Sequence, residues 1–154
     1  MTLRGWATFA WQADCGQFYL IDPEDTAFLP PTEITAEMET RRLHEIPCGL
    51  VIYTEGCLQQ LIRIAIYDTE PDHPSEDPIN GERWTQVEMS KAKFPSRKFT
   101  ISSPSMPGPL PGGPFFFLDT VTYKIRVSWK EFQGSQDDSV PVEPDVIALT
   151  LWPG

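Results

Sequence analysis

Two segments late in the sequence restrict the fold most. Residues 122–129 read TYKIRVSW and residues 145–154 read DVIALTLWPG. In the first, Tyr123, Ile125, Val127 and Trp129 alternate with Lys124, Arg126 and Ser128. Successive side chains of a strand point to opposite faces, so this period of two predicts a β-strand with one apolar side. The second is rich in Val, Ile, Leu and Trp, the composition of a strand that completes a sheet.

The same pattern recurs upstream. In residues 6–11 (WATFAW), Trp6, Thr8 and Ala10 share one face of a strand, and Ala7, Phe9 and Trp11 share the other. Residues 17–21 form a second strand, and the break containing Asp14 and Gly16 reads as a hairpin turn. GLVIYT (49–54) and QQLIRIAIYD (59–68) are the central strands, with Glu55 and Gly56 marking a tight turn between them. In the latter, Ile62, Ile64 and Ile66 share one face, and Leu61, Arg63, Ala65 and Tyr67 share the other. Two nearly apolar faces predict a strand covered on both sides, with Arg63 snorkelling to the surface. Residues 83–90 and 97–102 read as the next strand pair. One short helix over residues 33–43, capped by Thr32, is the only helical segment.

Sixteen prolines in 154 residues, about twice the usual ~5% share, favour strands joined by stiff loops. Residues 103–114 hold five prolines and three glycines, which excludes a helix or a central strand there. The strand spacing is too short for helical crossovers. The expectation is an all-β fold, a single antiparallel two-sheet β-sandwich domain of about 8–10 strands over residues 1–154.

The net charge is −10, which disfavours nucleic acid and anionic membranes as partners and favours a basic one. Of the 22 acidic residues, 17 fall in residues 22–39, 68–82 and 131–145, none of which contains a Lys or Arg. All three read as connections, so the negative field is concentrated on loops, where it could steer a basic partner. Loops gather at the ends of a sandwich, so two of these segments are expected to meet.

Enzyme signatures are missing. There is no GxSxG elbow, phosphate loop or HExxH helix. Only His44 and His73 could act as imidazole ligands or bases near neutral pH, and in the His44/Cys48 pair the Pro47 and Gly49 that bracket the cysteine read as a strand end. The alternate acids Asp68, Glu70 and Asp72 imitate the start of a calcium loop, but His73 stands where glycine is required. Three cysteines without a CxxC pair predict neither a disulfide framework nor zinc. Residues 1–16 lack a signal-peptide pattern and no stretch is long and apolar enough to span a membrane, so a cytoplasmic setting is expected.

From residue 49 to residue 153, the order GLVIYT, QLIRIAIYDTEP, WTQVEMS, YKIRVSW, an acidic loop and ALTLWP resembles small bacterial β-sandwich proteins of the competence-J type. Tyr123, Arg126, Val127, Leu151, Trp152 and Pro153 carry the resemblance, and the proline-rich 103–114 segment departs from it. That family is associated with inhibiting a partner nuclease, and related sandwiches resemble immunity proteins against toxins. The resemblance therefore implies a non-enzymatic, protein-binding inhibitor without catalytic residues, metal or cofactor. The expected contacts with a basic toxin or nuclease are Asp68, Glu70, Asp72, Glu76, Asp77, Asp137 and Asp138. Phe116 and Trp152 are the expected apolar contacts. The alternative is a small-ligand or carbohydrate-binding module that uses exposed aromatic rings. An enzyme would need a concave pocket holding His44 or His73 beside acids.

Overall fold

The computed structural model describes residues 1–12, 16–54, 59–79, 81–104, 114–131 and 144–154. Ten strands and one helix follow in the order β1 (Leu3–Gln12), β2 (Gln17–Ile21), α1 (Ala36–Arg41), β3 (Leu43–Ile46), β4 (Gly49–Tyr53), β5 (Gln59–Tyr67), β6 (Gln86–Lys93), β7 (Lys98–Ser102), β8 (Phe115–Phe117), β9 (Thr122–Lys130) and β10 (Asp145–Pro153). They form two five-stranded sheets. Sheet A has the order β1-β5-β10-β9-β6, and sheet B the order β3-β4-β2-β7-β8.

The expected two-sheet sandwich is present, but its connections differ from those expected. β1 and β2 lie in different sheets, as do β4 and β5, and β6 and β7. What reads as three hairpins is three crossings between layers. A short polar break serves either purpose; the pairing is decided by which strand faces are apolar, and both faces of β4 are buried throughout. Asp14, Glu55 and Gly56 lie outside the described residues, as do Cys15, Cys57 and positions 105–113 of the proline-rich segment.

The end of the sequence sits at the middle of sheet A. β10 runs antiparallel to β9, with Leu149 opposite Val127, and parallel to β5, with Leu149 opposite Ile64. The parallel pair is an exception in a sandwich that is otherwise antiparallel. The inner faces follow the predicted alternation. Ile62, Ile64, Ile66, Tyr123, Ile125, Val127, Trp129, Ile147, Leu149 and Leu151 of sheet A meet Phe18, Leu20, Leu50, Ile52, Phe99 and Ile101 of sheet B in one core. The Trp129 indole Nε1 donates to the Tyr53 carbonyl at 2.9 Å, tying the layers together. Gly49 lets β4 approach β2 closely, because a methyl group there would overlap the Leu20 carbonyl oxygen.

Each sheet is also covered over part of its outer face, with Trp6, Met89 and Phe117 left exposed beside the cover. Over sheet B, α1 buries Met38 against Tyr19, Ile21, Val51 and Tyr53, with Phe28 packed beside them. The helix is shorter than expected and begins later, because Thr35 rather than Thr32 caps it, accepting from the Met38 N–H. Arg42 ends it in the left-handed region, and the chain turns directly into β3, which the sequence reading placed partly in the helix and otherwise left unassigned. Over sheet A, residues 68–84 fold back across the outer sides of β5, β9 and β10. No helix among the described residues is long and apolar enough to cross a membrane.

The central position of β10 sets a prediction. A chain ending at Ala148 loses Leu149, Leu151 and Trp152, all at most 3% exposed, and the hydrogen bonds to both neighbours. At about 2–5 kcal/mol for each large buried side chain, this exceeds much of a typical domain stability of about 5–15 kcal/mol. The truncated chain is expected to show no cooperative thermal transition by circular dichroism; a retained transition would mean that β10 is dispensable.

Candidate functional site

The outer face of sheet A carries an unusual row of residues. Arg63 projects from β5, and Arg126, Ser128 and Lys130 from β9, all on the side away from the sandwich core. Exposed, such residues would be ordinary, but here Arg126 is 7% and Lys130 8% exposed. Residues 68–84 cover them, and a buried charge needs a partner.

Asp77 supplies it. Its side chain is fully buried. Arg63 Nη1 donates to Oδ1 at 2.7 Å, and Lys130 Nζ donates to Oδ2 at 3.0 Å. The Ile79 N–H also donates to Oδ1, closing a turn typical of aspartate. The loop then tightens on itself. The Asp77 N–H donates to the Glu82 carbonyl and the Gly81 N–H to the Asp77 carbonyl, with Gly81 at φ 74°. The Thr85 N–H donates to the Trp129 carbonyl and leads the chain into β6. Arg63 is therefore not a snorkelling surface residue; it is one half of a buried ion pair.

Burial alone would push the Asp77 carboxyl up. The Ile79 N–H and the hydrogen bonds from Arg63 and Lys130 outweigh it and hold the group below the ordinary carboxylate value of 3.8. Asp22 plays the matching part over sheet B. Burial is again opposed, here by the Ser96 hydroxyl and N–H and the Glu24 N–H, and its carboxyl is also held low.

The other expected contact residues divide clearly. Asp68, Glu70, Asp72 and Glu76 are exposed along the covering loop, whereas Asp77 faces inward and anchors it. The Thr2 N–H donates to Asp68 at 2.6 Å and holds that carboxyl low. Glu70 lies 3.6 Å from Arg126. Asp137 and Asp138 lie outside the described residues. Phe116 is not an outward contact; it is 8% exposed and stacks on Phe99 at 4.7 Å. Its neighbour Phe117 faces out instead, at 77% exposed. Trp152 is 3% exposed, lying under the Arg126 guanidinium at 5.0 Å. The two described acidic segments do not meet at one end, since residues 22–35 and 68–84 cover opposite outer faces.

Between the covering loop and the sheet runs a cleft of about 270 Å³, lined among others by Trp6, Tyr67, Trp84, Asp72, His73 and Arg126. His73 beside Asp72 is the arrangement required of an enzyme. Among the described residues, however, no hydrogen bond links His73 to Asp72 or to Ser128, one of the hydroxyls in the same cleft. Burial and then the charge of Arg126 lower the His73 pKa from its ordinary 6.5. No group of three His, Cys, Asp or Glu side chains among the described residues could hold a metal ion. Cys48 has a thiol pushed up by burial and by Asp25 and Asp22, which makes it a poorer nucleophile.

No protein-family model and no curated protein matches this sequence. Solved structures do match. ComJ from Bacillus subtilis, described as an inhibitor of the DNA degrading activity of NucA, superposes with a TM-score of 0.71 at 10% identity, covering 100% of both chains. The product of crocagin biosynthetic gene J superposes with a TM-score of 0.63 at 12% identity, covering 99% of both chains. At these identities the likeness establishes the fold. It extends the competence-J resemblance from residues 49–153 to the whole chain.

The anchor sets two expectations. Asp77→Ala leaves Arg63 and Lys130 without their buried carboxylate and should cost about 3 kcal/mol, lowering Tm by roughly 6–12 °C. Asp72→Asn, on the exposed part of the same loop, should change Tm little. Equal Tm values for the wild type and Asp77→Ala would contradict the anchoring role. The pH dependence follows from the directions of the shifts. Asp77 and Asp22 bind protons less readily folded than unfolded, so their stabilisation is complete above the ordinary carboxylate value. It is lost as pH falls through their lowered pKa values. His73 also resists protonation when folded, so a milder loss begins as pH falls through about 6.5. Asp77→Ala should flatten the acid limb of a pH series of thermal melts and leave the milder step.

Proposed function

We propose that this protein is a non-enzymatic inhibitor that binds a nuclease, acting through the acidic rim of the loop over sheet A. The observation that carries this reading is the division of charge within that loop. Asp77 is buried as an anchor, while Asp68, Glu70, Asp72 and Glu76 are left exposed on a chain of net charge −10. A nuclease needs a basic surface to hold the phosphate backbone of its substrate. Fixed carboxylates offer that surface a competing anion. Because the loop is already ordered, association loses less conformational entropy than with a free acidic segment.

The fold likeness to ComJ supports the same reading. The partner is a basic protein, either a nuclease or a toxin with nuclease activity, and in the second case this chain serves as its immunity protein. Asp137 and Asp138, on the connection between β9 and β10, extend the acidic contact set, and Phe117 offers an apolar contact in place of Phe116.

The test uses the nuclease encoded nearest this gene in its host. The wild type is expected to block DNA cleavage. The variant D68K/E70K/D72K/E76K, with its fold checked by thermal melting, should associate about tenfold or more slowly at low salt. The gap should narrow as salt is raised and the charges are screened. Unchanged association kinetics would reject the acidic rim as the binding surface. Undiminished DNA cleavage with the wild type would reject inhibition of that nuclease.

A further inference from the structure

The buried charge under the loop is opposite in sign to that of the protein, while Glu70 and Glu82 approach it from the exposed rim. Three cations, Arg63, Arg126 and Lys130, lie beneath residues 68–84, and Asp77 is the one fully buried carboxylate among the described residues there. Both Asp77 oxygens are already engaged by Arg63, Lys130 and Ile79. Among the described residues no hydrogen bond or ion pair joins Asp77 to Arg126. The nearest acceptors of that guanidinium are the Pro71 carbonyl at 3.5 Å and Glu70 at 3.6 Å, and the Glu70 side chain is 62% exposed. Both distances are at the limit of a hydrogen bond. Meanwhile Trp152 holds the guanidinium in place from one side. Arg126 is thus a buried, oriented and poorly satisfied cation lining a cleft.

The walls are aromatic. Trp6 lines the cleft with 69% of its surface in water. Trp84 keeps its indole Nε1 buried with no acceptor among the described residues. An anion with a flat apolar body would satisfy all three features together.

We infer that the cleft binds a small aromatic carboxylate, with Arg126 taking the carboxylate and Trp6 and Trp84 flanking the ring. The volume, about 270 Å³ against roughly 300–1,000 Å³ for most ligand sites, fits one or two rings. A neutral sugar would leave Arg126 uncompensated. A phosphate would bring a second negative charge toward Glu70 and Asp72. The site borders the nuclease-binding rim, sharing Asp72 and the Glu70 contact of Arg126 with it, but requires no protein partner.

Calorimetry on the whole protein with naphthoate, and with its uncharged amide as the control, tests this. Naphthoate should bind saturably at up to millimolar concentration and about tenfold more tightly than the amide, as expected when a neutral hydrogen bond replaces a charged one. Trp6→Ala, at an exposed position that the fold tolerates, should weaken naphthoate binding several-fold, while Phe117→Ala should not. Arg126→Gln should abolish the preference for the carboxylate. With only two histidines in the chain, proton NMR offers a second readout: naphthoate should raise the titration midpoint of His73, beside Arg126. No saturable binding of naphthoate would overturn the site. Equal affinity for acid and amide, or binding unaffected by Trp6→Ala, would overturn the ligand class and the location respectively.

Discussion

The pairing of Asp77 with Arg63 and Lys130 is the contact on which the outer half of this molecule depends. The sandwich core would form without it, since the inner faces of both sheets are apolar. The outer face of sheet A is different. It places cations on β5 and β9, and these are buried only because a carboxylate is folded in above them. Once Asp77 is fixed, the turn at residues 77–82 follows, and the rest of the 68–84 segment is drawn across the sheet. The cleft and the acidic rim are consequences of that placement. Asp22 does the same over sheet B by gathering the Ser96 and Glu24 donors. One buried aspartate thus fixes each acidic segment, Asp77 to the cations of sheet A and Asp22 to the connection between β6 and β7.

This arrangement separates charge by depth. The loop over sheet A turns carboxylates outward and meets cations inward. Outward charge is screened by salt and acts mainly on the rate of encounter. Inward charge acts in a medium where an unpaired group is expensive, so it governs stability and what the cleft accepts. The same run of fifteen residues can therefore face a protein partner on one side and a small ligand on the other.

Much of the fold was legible in the sequence because a strand with one buried face has a period of two. Tyr123 to Trp129 and the three isoleucines of β5 show it plainly, and both lie where that period predicts. Pairing was less legible. The breaks after Trp11, Thr54 and Ser90 look like turns, and no residue in them distinguishes a hairpin from a crossing between sheets. β3 was lost because four residues beside a helix give too short a pattern. The site was only half legible. Composition marks residues 68–82 as acidic, but it cannot separate Asp77 from Glu76. Two signals could have done so: Arg63 in an otherwise apolar strand face asks for a buried acid, and Asp-Pro followed by Asn-Gly is turn chemistry. Trp152 looked exposed because it is near the end of the sequence, yet β10 lies at the centre of its sheet.

Hydrogen exchange of the loop amides tests the anchored loop most directly. The N–H groups of Asp77, Ile79 and Gly81 all donate within the loop, so at neutral pH they should exchange slowly, on the scale of strand amides. In Asp77→Asn they should become fast while the amides of β5 and β9 stay protected. Exchange in the wild type at the rate of an unstructured peptide would contradict an ordered loop, and with it the fixed acidic rim and the cleft beneath.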